Sequence, residues 1–226
     1  MDYLCELMVA NDLDIKEPAE LEGEIALQHL SRLSDFIFAL AMALTFWQFD
    51  MPETASTLSP SEVNQFLLGE LKPLSTYIIT FLLIAVYWIA HTEQFAHYRR
   101  TNEVHLWIYA FYLMCLFLVP YSNAVALVFP DNTVAKICFS ANIALIGLIS
   151  YLSWHYATDR NRLVKKDLSA ETVTEMKRKV LIEPICAVAV IGVAAVSPVW
   201  SDAAWLLFPF VNLALRWLIK PTATTL

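Results

Sequence analysis

Residues 29–52 read HLSRLSDFIFALAMALTFWQFDMP. The stretch opens on a polar cluster of His29, Ser31, Arg32, Ser34 and Asp35. It then runs almost wholly apolar from Phe36 to Phe49 and closes on Asp50-Met-Pro. Such a run with polar ends reads as a helix entering a bilayer. Asp35 is then either a cap at the membrane surface or part of a site.

The rest of the chain fixes the class. Of its 226 residues 58% are hydrophobic and only 16% charged, with a mean hydropathy of +0.53. Soluble domains carry roughly 25% charge, so this is an all-α, polytopic membrane protein. Six apolar segments are predicted as membrane helices, at 33–49, 74–91, 104–128, 134–157, 180–198 and 203–219. Each approaches or exceeds the roughly 17 residues that a span requires. Pro73 marks or bends the entrance of the second segment, Pro120 kinks or ends the third, and Pro184 falls in the first turn of the fifth. Residues 1–28 form an acidic tail, residues 29–220 the membrane domain, and residues 221–226 a C-terminal tail.

Charge sets the orientation. With a cytoplasmic N-terminus, all but Lys72 and Lys136 of the 15 Lys and Arg residues lie on the inner side. The positive-inside rule therefore places both termini in the cytoplasm and Asp35 near the inner face of a multi-pass protein of the cell membrane. The connector before the fifth segment is predicted to be helical in its second half, capped around Asp167-Leu-Ser169. Its bases are placed to meet anionic lipid, but a soluble connector that obeys the topology rule is the stronger reading.

Several chemistries are excluded. Four glycines cannot build a phosphate loop or a dinucleotide fingerprint, and neither G-x-S-x-G nor H-E-x-x-H occurs. No triad can be named, so no enzyme is expected. A basic surface with interleaved aromatics is missing, which argues against nucleic acid. Cys5, Cys115, Cys138 and Cys186 show no C-x-x-C spacing and read as free thiols. His91, Glu93 and His97 sit together in sequence, but His91 and His97 diverge by about 120° around a helix. An ordinary interfacial helix end is the stronger reading there, and no metal or cofactor is expected. The fifth and sixth segments show no acid in their interiors.

Attention returns to the first segment. His29, Arg32 and Asp35 follow at spacings of three, and Arg32 is placed to pair with Asp35. Leu40, Leu44 and Trp47 follow at spacings of four and three and form an apolar stripe. By spacing alone, packing against neighbouring helices explains that stripe well.

The segment LSDFIFALAMALTFWQFDMP resembles the first helix of the lysosomal-type potassium channels of the transmembrane protein 175 family. That family marks the helix with Arg, three arbitrary residues and Phe-Ser-Asp. Trp88-Ile-Ala-His91 is similar to its Trp-x-x-His on the second helix. Leu106-Trp107 with Pro120, and Gly147-Leu-Ile-Ser-Tyr151 with Trp154, resemble its third and fourth helices. The chain departs from the pattern at His29 (family Arg), Leu33 (family Phe) and Tyr109 (often Asn). The resemblance implies a homotetrameric, potassium-permeable channel in membrane lipid, with potassium or other monovalent cations as the permeant species. The first helix would line the pore, with Leu40, Ala43, Leu44 and Trp47 at an apolar constriction. Asp50 and Glu53 would lie at the outer mouth. His29, Arg32, Ser34, Asp35 and His91 would form a polar clasp at its inner end. The rival readings are a proton-coupled secondary transporter, with Asp35, Glu93 and the histidines as a relay, and a non-conducting membrane scaffold.

Overall fold

The computed structural model describes residues 18–49, 58–198, 200, 201 and 203–205. These residues are helical apart from connecting turns and one isolated bridge, Tyr98 to Val164. The helices are α1 (Pro18–Leu44), α2 (Pro60–Gly69), α3 (Leu71–Phe95), α4 (Glu103–Phe117), α5 (Val119–Val128), α6 (Thr133–Thr158) and α7 (Ala170–Val196). A 3₁₀ turn, Thr45–Gln48, follows α1.

By length and composition four helical stretches can cross a membrane: Thr76–Phe95, Glu103–Val128, Thr133–Asn161 and Ala170–Val196. Leu82, Trp107, Phe111, Val188 and Val196 are exposed apolar side chains along them, as expected where lipid is the solvent. The chain is a multi-pass membrane protein. The sixth predicted segment, 203–219, lies outside the described residues beyond 205.

Local chemistry explains the helix starts. Asn102 caps α4 through the His105 amide (3.0 Å), and Asn132 caps α6 through the Ala135 amide (3.0 Å). Ser59 and Glu62 form a capping box on α2. Ser169 accepts from the Thr172 amide at 3.1 Å, so the connector cap stands where the sequence places it. Pro73 lies in the first turn of α3, as read. At Pro120 the third segment kinks, as read: the regular helix is interrupted at Leu118, because the missing proline N–H frees carbonyls of the preceding turn. Asn142 of α6 donates to one carbonyl near the break, that of Cys115, at 3.1 Å.

Two sequence expectations are corrected. Pro184 is not in a first turn; the connector helix and the apolar fifth segment fuse into α7, which leaves Pro184 mid-helix. Glu183 consequently lies inside that helix, so the fifth segment is not free of acids.

The core lies between α4, α6 and α7, on Tyr109, Leu116, Ile143, Ile146, Trp154 and Ala187. Gly147 lets α7 approach α6: a Cβ built there would stand 2.6 Å from Pro184 Cδ. α1 packs on α3 and α4. It begins well before the apolar run, at Pro18, and its extra turns dock on the loop after α3. There the Thr101 amide donates to the Gly23 carbonyl (3.0 Å) and Arg99 pairs with Glu20.

Candidate functional site

α1 presents two faces of different character. Leu30, Ser34, Phe38 and Ala41 are buried against the bundle. At 100° per residue they span about 80° of arc. Leu40, Ala43 and Leu44 cluster on an arc centred about 130° away. Leu40 is 37% exposed, against 1% for Phe38 and 0% for Ala41. Ala43 is exposed and Leu44 half-buried. Leu33 and Phe36 extend the same outward face. A strongly apolar face thus stands without a protein partner among the described residues. The side chain of Trp47 lies outside what the structure describes, and Asp50 and Glu53 lie outside the described residues.

Around Asp35, the five expected clasp residues divide. Asp35 Oδ1 accepts a hydrogen bond from the Trp88 indole of α3 at 2.9 Å. His91, one turn further along α3, is buried. Its Nδ1 lies 3.2 Å from the Tyr109 hydroxyl, and its ring lies 5.3 Å from that of Phe38. Ser34 is buried but donates to its own helix, to the Leu30 carbonyl at 2.8 Å. His29 and Arg32 are exposed. Among the described residues no ion pair joins Arg32 to Asp35. Asp35 is engaged across the helix interface by Trp88.

Behind Asp35 and His91 lies a buried polar layer that the sequence reading missed. The Tyr109 hydroxyl donates to Gln94 Oε1 (3.4 Å), and Gln94 Nε2 donates to the Ser150 carbonyl (3.2 Å). One turn closer to the loop, Ser153 Oγ meets both the Tyr98 hydroxyl (3.2 Å) and His105 Nε2 (2.9 Å). Thr101 Oγ1 lies 2.8 Å from His105 Nδ1. Tyr98, in the loop, is held un-ionised by burial, which raises its pKa above the ordinary value. The signal was present in the spacing. His91, Gln94 and Tyr98 recur at three and four, and His105, Tyr109 and Tyr112 at four and three, so two polar-aromatic stripes at helical period face each other.

The grouping of His91, Glu93 and His97 does not survive as a metal site. Glu93 pairs with Lys179 at 2.7 Å, His97 meets the Trp154 ring edge-on at 5.9 Å, and His91 faces Tyr109. No cluster of three metal-ligating side chains occurs among the described residues. Cys115, Cys138 and Cys186 are free thiols. The arrangement is a helix held around Asp35 and along one face, with its other face uncovered by the described residues. It is suited to association and to lining a passage.

The family resemblance drawn from the sequence is borne out. Residues 29–120 match the family described as the endosomal/lysosomal potassium channel TMEM175. The endosomal/lysosomal proton channel TMEM175 of Mus musculus is 26% identical over 133 residues, covering 57% of this chain and 26% of that protein. The chain thus spans about a quarter of the length of the mammalian relatives it matches. A potassium channel of Streptomyces collinus is 21% identical over 175 residues, 76% of this chain and 84% of that one. In fold, the chain is similar to a lysosomal potassium-selective channel TMEM175 homologue from Chamaesiphon minutus. That match has a TM-score of 0.69 at 20% identity, over 87% of this chain and 99% of the other. It is also similar to the potassium channel MtTMEM175, with a TM-score of 0.60 at 15% identity, over 84% and 91%.

Proposed function

From the family match over residues 29–120, we propose that this chain is a potassium-permeable cation channel of the cell membrane. It assembles as a homotetramer, with α1 of each subunit lining a central pore. One observation carries the reading. The family match begins at α1, and α1 leaves Leu33, Phe36, Leu40 and Ala43 exposed while burying its opposite face. A second, third and fourth copy would cover that face.

The physics follows from the side chains. Rings of Leu40, Ala43, Leu44 and Trp47 would form an apolar constriction that closes by dewetting and opens when it widens or rotates. Cation preference would come from partial dehydration there and from acids at the ends, with Asp50 and Glu53 outside. At the inner end Asp35 and His91 hold α1 through Trp88, Phe38 and Tyr109. Ser34 keeps the buried face flush, while His29 and Arg32 lie free to meet a neighbouring subunit or water.

Potassium flux from liposomes tests this, with wild type beside Leu40→Ala. Flux that rises in the variant, without saturation and without a proton gradient, is expected. Flux in neither protein would indicate a scaffold, and flux that needs a proton gradient would indicate a transporter.

A further inference from the structure

The first turns of α1 make contacts that the channel reading does not use. Gly23 is buried although Glu22 and Ile25 beside it are exposed. Its carbonyl accepts from the Thr101 amide at 3.0 Å. A Cβ on it would stand 2.9 Å from the Thr101 carbonyl oxygen and 3.2 Å from Arg100 Cβ, so any larger residue would push helix and loop apart. One turn earlier Glu20 pairs with Arg99 of the same loop.

That loop is itself tied down. The Arg99 amide donates to the Leu163 carbonyl at 2.8 Å, and the Lys165 amide donates back to the His97 carbonyl at 3.1 Å. Arg100 Nε donates to the Arg162 carbonyl at 3.3 Å. Leu163 and Val164 are part of the buried core. Arg160 and Asn161, with φ of 53° and 52°, hold the left-handed turn that non-glycine residues seldom adopt. The loop after α3 and the loop after α6 thus form one body anchored in the bundle, and the start of α1 is docked on it.

What is fixed at Gly23 is felt at Leu40. α1 is one helix of 27 residues with no proline after Pro18, so it lacks the usual cause of a kink. Gly23 and Ala41 are eighteen residues apart, about five full turns, and lie on one line of the helix. Docking at Gly23 therefore sets the rotation of the helix about its axis, and with it the direction that Leu40 and Ala43 face some way along. From Gly23 to Leu40 is about 26 Å. An apolar constriction on α1 opens when the helix turns or retracts, and either motion carries Gly23 off the loop.

We propose that Glu20 and Gly23 form a latch through which the two joined loops hold α1 in its constricted orientation. Both are positioning residues and neither touches the permeant ion. The inference rests on α1 lining the pore, and its test separates the two.

Gly23→Ala disturbs the latch without weakening the helix, because alanine is the better helix former. Glu20→Gln removes the ion pair, and the swap of Glu20→Arg with Arg99→Glu restores it. Each protein is reconstituted for potassium flux beside wild type and Leu40→Ala. In parallel, Ala43→Cys is placed in protein whose Cys5, Cys115, Cys138 and Cys186 are replaced by Ala. Its labelling by a trimethylammonium methanethiosulfonate is followed in nanodiscs by intact-mass spectrometry, with and without Gly23→Ala. The expected result is flux raised about three- to tenfold by Gly23→Ala and about two- to fivefold by Glu20→Gln, with a change of about twofold or more in the labelling rate. The charge swap should bring flux back toward wild type. A merely structural contact predicts lower flux with a lower Tm instead. Unchanged or lower flux in both Gly23→Ala and Glu20→Gln, where Leu40→Ala conducts, would overturn the latch and leave the channel reading standing. If no protein conducts, Leu40→Ala included, the channel reading falls and labelling decides alone. A shifted rate would then uphold the coupling from Gly23 to Ala43, and an unchanged rate would overturn it.

Discussion

Trp88→Phe isolates the bond that ties α1 to α3. An aromatic ring remains, while the indole N–H is lost together with the pyrrole part of the ring. That N–H donates to Asp35 Oδ1 at 2.9 Å. A hydrogen bond to a charged group contributes about 1.5–3 kcal/mol when protected. Both residues are exposed on one side of the single chain, so about 1–1.5 kcal/mol is the working figure after screening. For a chain of this size that corresponds to a fall of about 2–6 °C in Tm. The assay is a double-mutant cycle of Trp88→Phe with Asp35→Asn in detergent, read by thermal unfolding and by the fraction of oligomer on size-exclusion chromatography with light scattering. The two substitutions should be coupled, the second costing much less once the first is made. Additive losses would mean that the bond does not hold α1, and the clasp would have to be abandoned. Intact oligomer with normal potassium flux in both single variants would refute its role in assembly.

Other outcomes follow from the same coordinates. Gly147→Ala sets a methyl 2.6 Å from Pro184 Cδ, and should cost about 1–3 kcal/mol by overpacking α6 against α7. Pro184→Ala in the same protein should restore part of that loss in a thermal melt, since it removes the obstructing ring. The Ser59 hydroxyl and amide hold the Glu62 carboxyl below its ordinary pKa of 4.5. A depressed acid stabilises the folded form fully above the unfolded value and loses that contribution as pH falls through the folded one. Hydrogen exchange of the α2 amides should therefore speed up specifically below about pH 4.5, and Glu62→Gln should remove that extra pH dependence.

Much of the architecture was legible in residue order because it depends on local terms. Hydropathy marked the apolar segments, since each membrane helix must satisfy its backbone internally and its side chains against lipid. Asn102, Asn132 and Ser169 stand as caps because capping is settled within four residues. The helical stripe of Leu40, Leu44 and Trp47 followed from spacing, and the structure leaves Leu40 exposed and Leu44 half-buried. Tertiary structure decided the partners. Arg32 looked like the natural mate of Asp35, yet Trp88, 53 residues away, takes the hydrogen bond. Spacing of three permits a pair along one helix, but packing brings a donor from a distant helix to Asp35. Pro184 looked like a first-turn residue until α7 proved continuous through it, and Gly147 of α6 leaves room for its ring. The ion pair of Glu93 with Lys179 needs two helices more than eighty residues apart. Sequence determines what each helix can bury, because that is a property of its own period. Only the folded bundle determines which polar groups meet, because that depends on how the helices are rotated against one another.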